Sequence, residues 1–290
     1  MIVFANHRVR ARMALKGRWP VAVLITLLAT LPSLCFQTAM NLTMDPLTRI
    51  IAQYQYADMS LAVVQRMLRA LGQNLSPLAR LLWTLTPVCF LLSPFLSLGR
   101  HWYSLRILRG NDGSFSDILS RAGLFFKGMG LYVLRFLLIL VWGLPGLLLM
   151  VLGGMIAVRT QNISVLTAFY PVAMIVCVFF SLRATLTYQL SDILMTDTPE
   201  KGVIACLKES REKMTGLRMA LFMLMLSFLW FLILAEIATS LLASLAYAAG
   251  LVVSLVCSLV INTYMETSIC AFYEDVCAIR ATPIGSGMVE

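Results

Sequence analysis

Six long apolar runs alternate with short polar segments along this chain, and positive charges collect on alternate segments. Each run is long enough for a helix that crosses the hydrocarbon core of a bilayer, which takes roughly 20 mostly apolar residues. The pattern predicts an all-α polytopic bundle that forms one integral membrane domain over residues 1–290. Its six transmembrane helices are expected at about 19–40, 78–98, 131–158, 166–188, 219–246 and 250–271.

Basic residues predict the orientation of the chain. The first polar segment, residues 1–18, holds a cluster of positive charges, namely Arg8, Arg10, Arg12, Lys16 and Arg18. Because Lys and Arg accumulate on the cytoplasmic side of membrane proteins, this cluster predicts a cytoplasmic N-terminus. The basic segment 99–130 then falls on the same side, and six spans return the C-terminus there.

The longest segment between spans has the pattern of an amphipathic helix. Asp45-Pro46 suits a helix start, because a capping side chain precedes a proline at the first helical position. Apolar residues then recur at intervals of three and four, which predicts a helix on the outer membrane surface at about 46–72. Ser76-Pro77 repeats the same start signature and opens the second span.

Two further helices are predicted on the inner surface. Ser114-x-x-Asp117 has the spacing of a capping box and precedes a short amphipathic segment at about 115–127. A second helix, at about 199–215, follows a Thr-Pro start. Within it Glu209 and Lys213 are spaced for an i,i+4 ion pair, and Gly216 suits the helix end.

Composition supports a membrane protein and excludes several other classes. In this chain 60% of the residues are hydrophobic and 13% are charged. In soluble domains about half of the residues are apolar and about a quarter are charged. Positive charges beside the spans explain the net charge of +9 through topology and anionic headgroups, so nucleic acid is not expected as a partner. Seven cysteines without a CxxC motif and two histidines predict neither a disulfide framework nor a metal site.

Charged residues inside spans are costly, so each is a functional hypothesis. Arg135 and Arg183 lie near the cytoplasmic ends of the third and fourth spans, and Glu266 lies at a similar depth in the sixth. The arginines either extend to the inner headgroups or pair with Glu266. Both interpretations stay open from the sequence.

Two polar stripes follow the fifth and sixth spans. Their members recur every four residues and so share one helix face. They are Glu236, Ser240 and Ser244 on the fifth span, and Ser254, Ser258, Asn262 and Glu266 on the sixth. The stripes predict a contact between antiparallel neighbours. The alternative is a hydrophilic path in which Glu236 binds a proton or a cation.

No catalytic constellation is present in the sequence. The chain lacks G-x-S-x-G, H-E-x-x-H and the phosphate-binding G-x-x-x-x-G-K. Asp192 and Asp197 lie at a membrane edge and are interpreted as solvent-facing caps rather than as a metal pair. We therefore expect no catalytic, cofactor-binding or metal-binding residues, and a protein that is not an enzyme.

A set of short motifs is spread in a characteristic order over nearly the whole chain. They include Gly17, Trp19, Gly99, Arg109, Gly110, Asp117, Trp142, Pro145, Gly146, Asp197, Pro199, Glu209, Ser210, Met214, Gly216, Ser227, Phe272 and Tyr273. This ordered set resembles a bacterial integral-membrane family catalogued as domain of unknown function nine-seven-five. The resemblance implies a bacterial cytoplasmic membrane and supplies no function. The interval from Gly146 to Asp197 is longer than in the family, and Glu236 has no expected counterpart there.

The favoured function is a non-enzymatic scaffold, assembly factor or regulatory module that acts through interfacial helices. Anionic headgroups on the cytoplasmic side and a membrane-protein partner are its expected contacts. The alternative is a transporter of a small solute, ion or lipid that uses the stripes on the fifth and sixth spans.

Overall fold

The computed structural model describes residues 4–53, 61–160 and 163–281. These residues form α-helices with two short 3-10 helices, Phe115–Ile118 and Ala122–Leu124, and no strand. The α-helices are α1 (Phe4–Leu15), α2 (Trp19–Gln53), α3 (Leu61–Asn74), α4 (Pro77–Leu108), α5 (Phe125–Thr160), α6 (Ile163–Tyr188), α7 (Ser191–Asp197), α8 (Val203–Lys213), α9 (Arg218–Leu226), α10 (Leu229–Leu245) and α11 (Tyr247–Ala281).

Six segments of the described chain are helical, long and apolar enough to cross a membrane, which indicates a multi-pass membrane protein. These candidate spans are Trp19–Ile50, Pro77–Leu108, Phe115–Ala157, Ala168–Asp197, Arg218–Leu245 and Ala248–Ile279. The prediction of an all-α protein with six helices of membrane-spanning length is confirmed. The sides on which the termini lie stay a prediction.

The spans pack as three helical hairpins, α2 with α4, α5 with α6, and α10 with α11. Close backbone approach marks two of them. A Cβ atom on Gly146 would lie 2.5 Å from Cβ of Cys177, and one on Gly250 would lie 2.6 Å from Cβ of Ala243. Glycine at these positions lets neighbouring helices approach more closely than a larger residue would allow.

The buried core lies at one end of the bundle, which we call the basal end. It is formed by α1, α7, α8 and the carboxyl-terminal part of α11, packed on the adjoining parts of α4, α5 and α9. Phe228, Phe272 and Ile193 are fully buried there. By contrast, α10 has no buried residue. The basal end is therefore the tightly packed part of the molecule, and α10 exposes most of its surface.

Several helix ends differ from the sequence prediction. Helix α2 continues through Pro46 to Gln53, so no helix starts at Asp45-Pro46. Proline is tolerated within membrane helices because local adjustments satisfy the freed backbone groups. Residues 54–60 of the predicted outer helix lie outside the described residues, and the amphipathic character of that helix stays a prediction.

The inner segments also differ in their ends. The region predicted as a helix at 115–127 forms two 3-10 helices before α5 begins at Phe125. The predicted helix at 199–215 begins only at Val203, because Pro199 and Glu200 lie in a turn after α7. The fifth span is divided at Ser227 and Phe228 into α9 and α10.

Candidate functional site

Arg109 joins three elements at the basal end. It follows the last residue of α4, and Gly110 then turns the chain with a φ of 79°. The Nε atom of Arg109 donates to Oε1 of Glu274 over 2.8 Å, and Nη1 donates to Oδ1 of Asp197 over 2.7 Å. Tyr273 Oη donates to the other oxygen of Asp197 over 3.0 Å. The hydrogen bond to Asp197, aided by that to Glu274, raises the pKa of Arg109 above its usual value.

Helix α1 is attached to α11 by a second set of charges. Arg10 pairs with Glu274 over 3.2 Å and also with Asp275. His7 is almost fully buried, and its Nε2 lies 3.4 Å from Oδ2 of Asp275. The ring of His7 also lies 5.5 Å from that of Phe272. The amino-terminal helix is thus part of the folded basal end.

Glu209 and Ser210 on α8 both form polar contacts with neighbouring residues. Its carboxylate accepts from Lys201 over 2.6 Å and pairs with Lys213 over 3.0 Å, which confirms the predicted i,i+4 pair. Burial alone would raise the pKa of Glu209, but these two lysines outweigh burial and hold the pKa below its usual value. The buried hydroxyl of Ser210 donates to the carbonyl oxygen of Thr187 over 2.9 Å and fixes α8 against α6.

The intramembrane ion pairs differ from the prediction. Glu266 pairs with Arg100 over 3.0 Å and lies 3.3 Å from Nε2 of His101, rather than pairing with Arg135 or Arg183. The reason is that α4 continues beyond the predicted end of the second span and carries both of its partners into contact with α11.

Arg135 and Arg183 have other neighbours. Arg135 pairs with Asp192 at the start of α7. Asp192 and Asp197 were expected to face solvent as caps, and that expectation is wrong because both pair with arginines of neighbouring helices. Arg183 is exposed, and its Cζ lies 5.8 Å from the centre of the Trp142 ring.

The two polar stripes do not face each other as predicted. Glu236, Ser240 and Ser244 on α10 are exposed, so this stripe is not buried against α11. The close contact of the hairpin involves Gly250 and Ala243 instead. On α11, Ser254, Ser258 and Asn262 are half-buried, and Ser258 donates to its own helix at Leu255.

Glu236 differs from the other membrane carboxylates. The remaining carboxylates whose side chains are described within the six candidate spans all pair with Arg or His. They are Asp117, Asp192, Asp197, Glu266, Glu274 and Asp275. Glu236 forms no ion pair with any described residue, and it is exposed on a helix without buried residues. It therefore marks a surface that the rest of the described chain leaves uncovered.

A cleft with several hydroxyl groups in a mostly apolar lining lies between α2, α4 and α5. One cavity of 290 Å³ includes Ser33, Thr86, Ser93 and Tyr132 in its lining. A smaller cavity of 60 Å³ shares Ser93 and Tyr132 with it and reaches the pair of Arg135 with Asp192. The two cavities are neighbours that share these two lining side chains, and neither includes a residue of the two stripes.

Most of the motif residues identified in the sequence are packed or paired. Gly17 and Gly216 adopt left-handed φ angles of 76° and 82° at turns. A Cβ atom on Gly99 would lie 2.4 Å from the carbonyl oxygen of Ile118. Asp117 completes the predicted capping box with Ser114 and pairs with Arg106.

The remaining motif residues follow the same trend. Trp19 lies edge-on to Tyr264, and Trp142 stacks on Phe180. Lys127 donates to the carbonyl oxygen of Pro199 over 2.7 Å. The hydroxyl of Ser227 donates to the carbonyl oxygen of Leu224 at the end of α9. Met214 and Phe272 are fully buried, and Pro145 lies within α5.

A family model described as "Protein of unknown function (DUF975)" matches residues 5–280. The chain belongs to this family. The match covers all six candidate spans and both sets of charges at the basal end. No curated protein and no solved structure matches the chain.

The basal ion-pair network includes residues that sequence reasoning missed. Arg100, His101, Glu274 and Asp275 were not proposed as a site, although each lies next to or near a motif residue. Within the described residues no group of three or more His, Cys, Asp or Glu side chains is arranged to hold a metal ion. The network can hold α1, α4, α7 and α11 in fixed positions through mutual neutralisation of charge.

Proposed function

We propose that this protein is a non-enzymatic scaffold of the bacterial cytoplasmic membrane that holds a partner membrane protein against α10. The observation that carries the proposal is Glu236, an exposed carboxylate without an ion-pair partner among the described residues. The expected partner presents a transmembrane helix with a cation or a hydrogen-bond donor at the depth of Glu236. Such a helix would cover the carboxylate and the adjoining serines.

The position of Glu236 explains why a partner is expected. It lies nine residues before the end of α10 at Leu245, or about 13 Å along the helix axis. A hydrocarbon core is about 30 Å thick, so the carboxylate falls well inside it. Charged groups near a span centre cost about 3 kcal/mol when they face lipid. A helix that supplies a cation would remove much of that cost.

The rest of the α10 face suits a helix contact. Ser240 and Ser244 follow Glu236 toward the helix end, and both are exposed. Ser244 donates to the carbonyl oxygen of Leu241, so its hydroxyl group is already satisfied. Small polar side chains let a second helix approach closely and are common at contacts between membrane helices.

The basal end supports the proposed orientation and role. Arg10, Arg100 and Arg109 are all at this end, where positive charge favours the cytoplasmic side. Both termini would then be cytoplasmic. Because ion pairs join α1, α4, α7 and α11, the basal end would act as a fixed base for the hairpin that presents α10.

Site-specific photo-crosslinking in native cells tests this proposal. A photoreactive amino acid replaces Leu232, which is 46% exposed and one turn before Glu236 on the same face. The control position is Leu92 on α4, which is 44% exposed. We expect one membrane protein to be crosslinked from position 232 and not from 92. Glu236→Gln should abolish that product, whereas Glu212→Gln, which alters an exposed carboxylate on α8, should retain it.

Equal products from both positions, or a product that survives Glu236→Gln, would contradict the proposal. A crosslink to a second copy of this chain would indicate that α10 contacts another copy in a homodimer, instead of a different membrane protein. Expression of every variant is compared by immunoblot, so that loss of a product is not confused with loss of the protein.

Transport is the second candidate, and the cleft between α2, α4 and α5 favours it. Hydroxyl groups are part of the lining of this cleft, and the neighbouring smaller cavity includes the pair of Arg135 with Asp192. Proton flux into liposomes, reported by an entrapped pH-sensitive dye, tests the idea. Transport predicts flux that Ser93→Leu removes and that Thr84→Leu, an exposed position on the same helix, retains. No flux above protein-free liposomes would remove the support for proton transport.

A further inference from the structure

A groove between α6 and α9 carries two arginines on an apolar wall. Its volume is 410 Å³, and its lining consists of Phe179, Leu182, Arg183, Leu186, Arg218, Met219 and Phe222. It lies near the basal end, since Arg183 is close to the end of α6 and Arg218 begins α9. The groove is separate from α10 and from the cleft between α2, α4 and α5.

The two arginines differ from those of the ion-pair network. Arg100, Arg109 and Arg135 each pair with a carboxylate, whereas neither Arg183 nor Arg218 forms an ion pair with a described residue. The Nε atom of Arg218 is shielded from solvent and has no hydrogen-bond partner in the described part of the chain. The groove therefore concentrates positive charge that forms no ion pair with a carboxylate of the described residues.

The remaining lining indicates the chemistry of the occupant. Phe179 is 59% exposed and Met219 is 67% exposed, so the groove opens through apolar side chains. At the edge of a membrane such a surface contacts acyl chains, and an arginine beside it reaches the headgroup layer. Arginine binds phosphate through two parallel hydrogen bonds, which makes a phosphate group its natural partner here.

We propose that this groove is a specific site for an anionic phospholipid of the leaflet at the basal end. Arg183 and Arg218 bind the headgroup phosphate, and one acyl chain lies against Phe179, Leu182 and Phe222. Basic pockets between transmembrane helices are known to bind such headgroups. This site does not depend on the proposed partner at α10, because it uses other helices.

Native mass spectrometry of the purified full chain tests the site. The protein in detergent is titrated with phosphatidylglycerol or with zwitterionic phosphatidylethanolamine, and the first bound lipid is counted. We expect preference for phosphatidylglycerol. Arg183→Gln with Arg218→Gln should weaken that binding about 30-fold, because each arginine near an anionic surface contributes about fivefold.

The matched control removes two charges from the same end of the molecule. Lys208→Gln with Arg211→Gln alters exposed positions on α8 and should leave binding within about threefold of wild type. Arg183→Lys with Arg218→Lys keeps the charge and loses the planar fork, so an intermediate loss is expected. This conservative variant keeps the test decisive if the glutamine variant fails to fold.

Three results would overturn the proposal. The first is equal binding of both lipids by wild type. The second is equal loss in the groove variant and in the control variant, which would indicate general surface charge. The third is displacement of phosphatidylglycerol by inorganic phosphate at low millimolar concentration, which would indicate a site for a soluble anion.

Discussion

Replacing Arg109 by glutamine tests whether the basal ion-pair network holds the fold together. The substitution removes hydrogen bonds of 2.7 and 2.8 Å to Asp197 and Glu274. Neither carboxylate would be left alone, because Tyr273 still donates to Asp197 and Arg10 still pairs with Glu274. The expected effect is therefore smaller than the loss of an isolated buried pair.

The magnitude follows from the exposure of the three side chains. Arg109 is 38% exposed, and its two partners are 20% and 17% exposed. Exposed ion pairs contribute up to about 1 kcal/mol, and breaking a buried pair costs about 3–5 kcal/mol. The Arg109 pairs lie between these limits, so we expect Arg109→Gln to lower the free energy of unfolding by about 2 kcal/mol.

The assay is equilibrium unfolding by SDS in mixed micelles, followed by tryptophan fluorescence. The control is Arg211→Gln, which alters an exposed arginine on α8 without an ion pair among the described residues and should change stability by less than about 0.5 kcal/mol. A double-mutant cycle with Asp197→Asn should give a coupling energy of about 1 kcal/mol. Equal stability of Arg109→Gln and Arg211→Gln would refute the structural role of the network.

Further predictions concern helix packing, pH and topology. Gly146→Ala should lower stability by about 1–3 kcal/mol in the same assay, because the added carbon meets Cys177, whereas Gly154→Ala meets no atom within 4 Å and should be neutral or stabilising. Glu209→Gln should be less stable than wild type above pH 4.5, where the depressed pKa of Glu209 contributes fully, and the two should converge as pH falls through the lower folded-state value. A constant difference in stability down to strongly acidic pH would contradict that role. Fluorescent-protein fusions at either terminus should fluoresce and phosphatase fusions should be inactive, and opposite results at the two ends would contradict an even number of spans.

Hydropathy predicted the spans because lipid imposes a direct requirement on length and polarity. Local capping chemistry was also predictable. Ser76 accepts from the amide of Ala79 at the start of α4, and Asp117 completes its capping box with Ser114. These interactions depend on residues three positions apart, so the sequence contains all that is needed.

Pairing between distant helices was not predictable in the same way. Depth alone allowed Glu266 to meet either Arg135 or Arg183, but its partners are Arg100 and His101. Hydropathy predicts the end of a span at the point where charged residues begin. Helix α4, however, continues into the charged segment as far as Leu108. The interaction joins residues more than 160 positions apart, and a single sequence carries no record of that contact.

The stripe on α10 illustrates a different limit. Spacing placed Glu236, Ser240 and Ser244 on one face, as an α-helix requires. It could not tell which neighbour that face meets, because small polar residues suit contact with α11 and with a separate protein equally well. In the structure these three residues are exposed, so the face is not buried against α11, and its contact with a separate protein stays a proposal.

The mass of the complex extracted from native membranes in polymer nanodiscs tests the scaffold proposal most directly. The chain has a mass of 32.2 kDa. We predict a particle that contains this chain and one further membrane protein, and the loss of that protein in Glu236→Gln but not in Glu212→Gln. A particle that contains this chain alone, or one whose composition is unchanged by Glu236→Gln, would contradict the proposal.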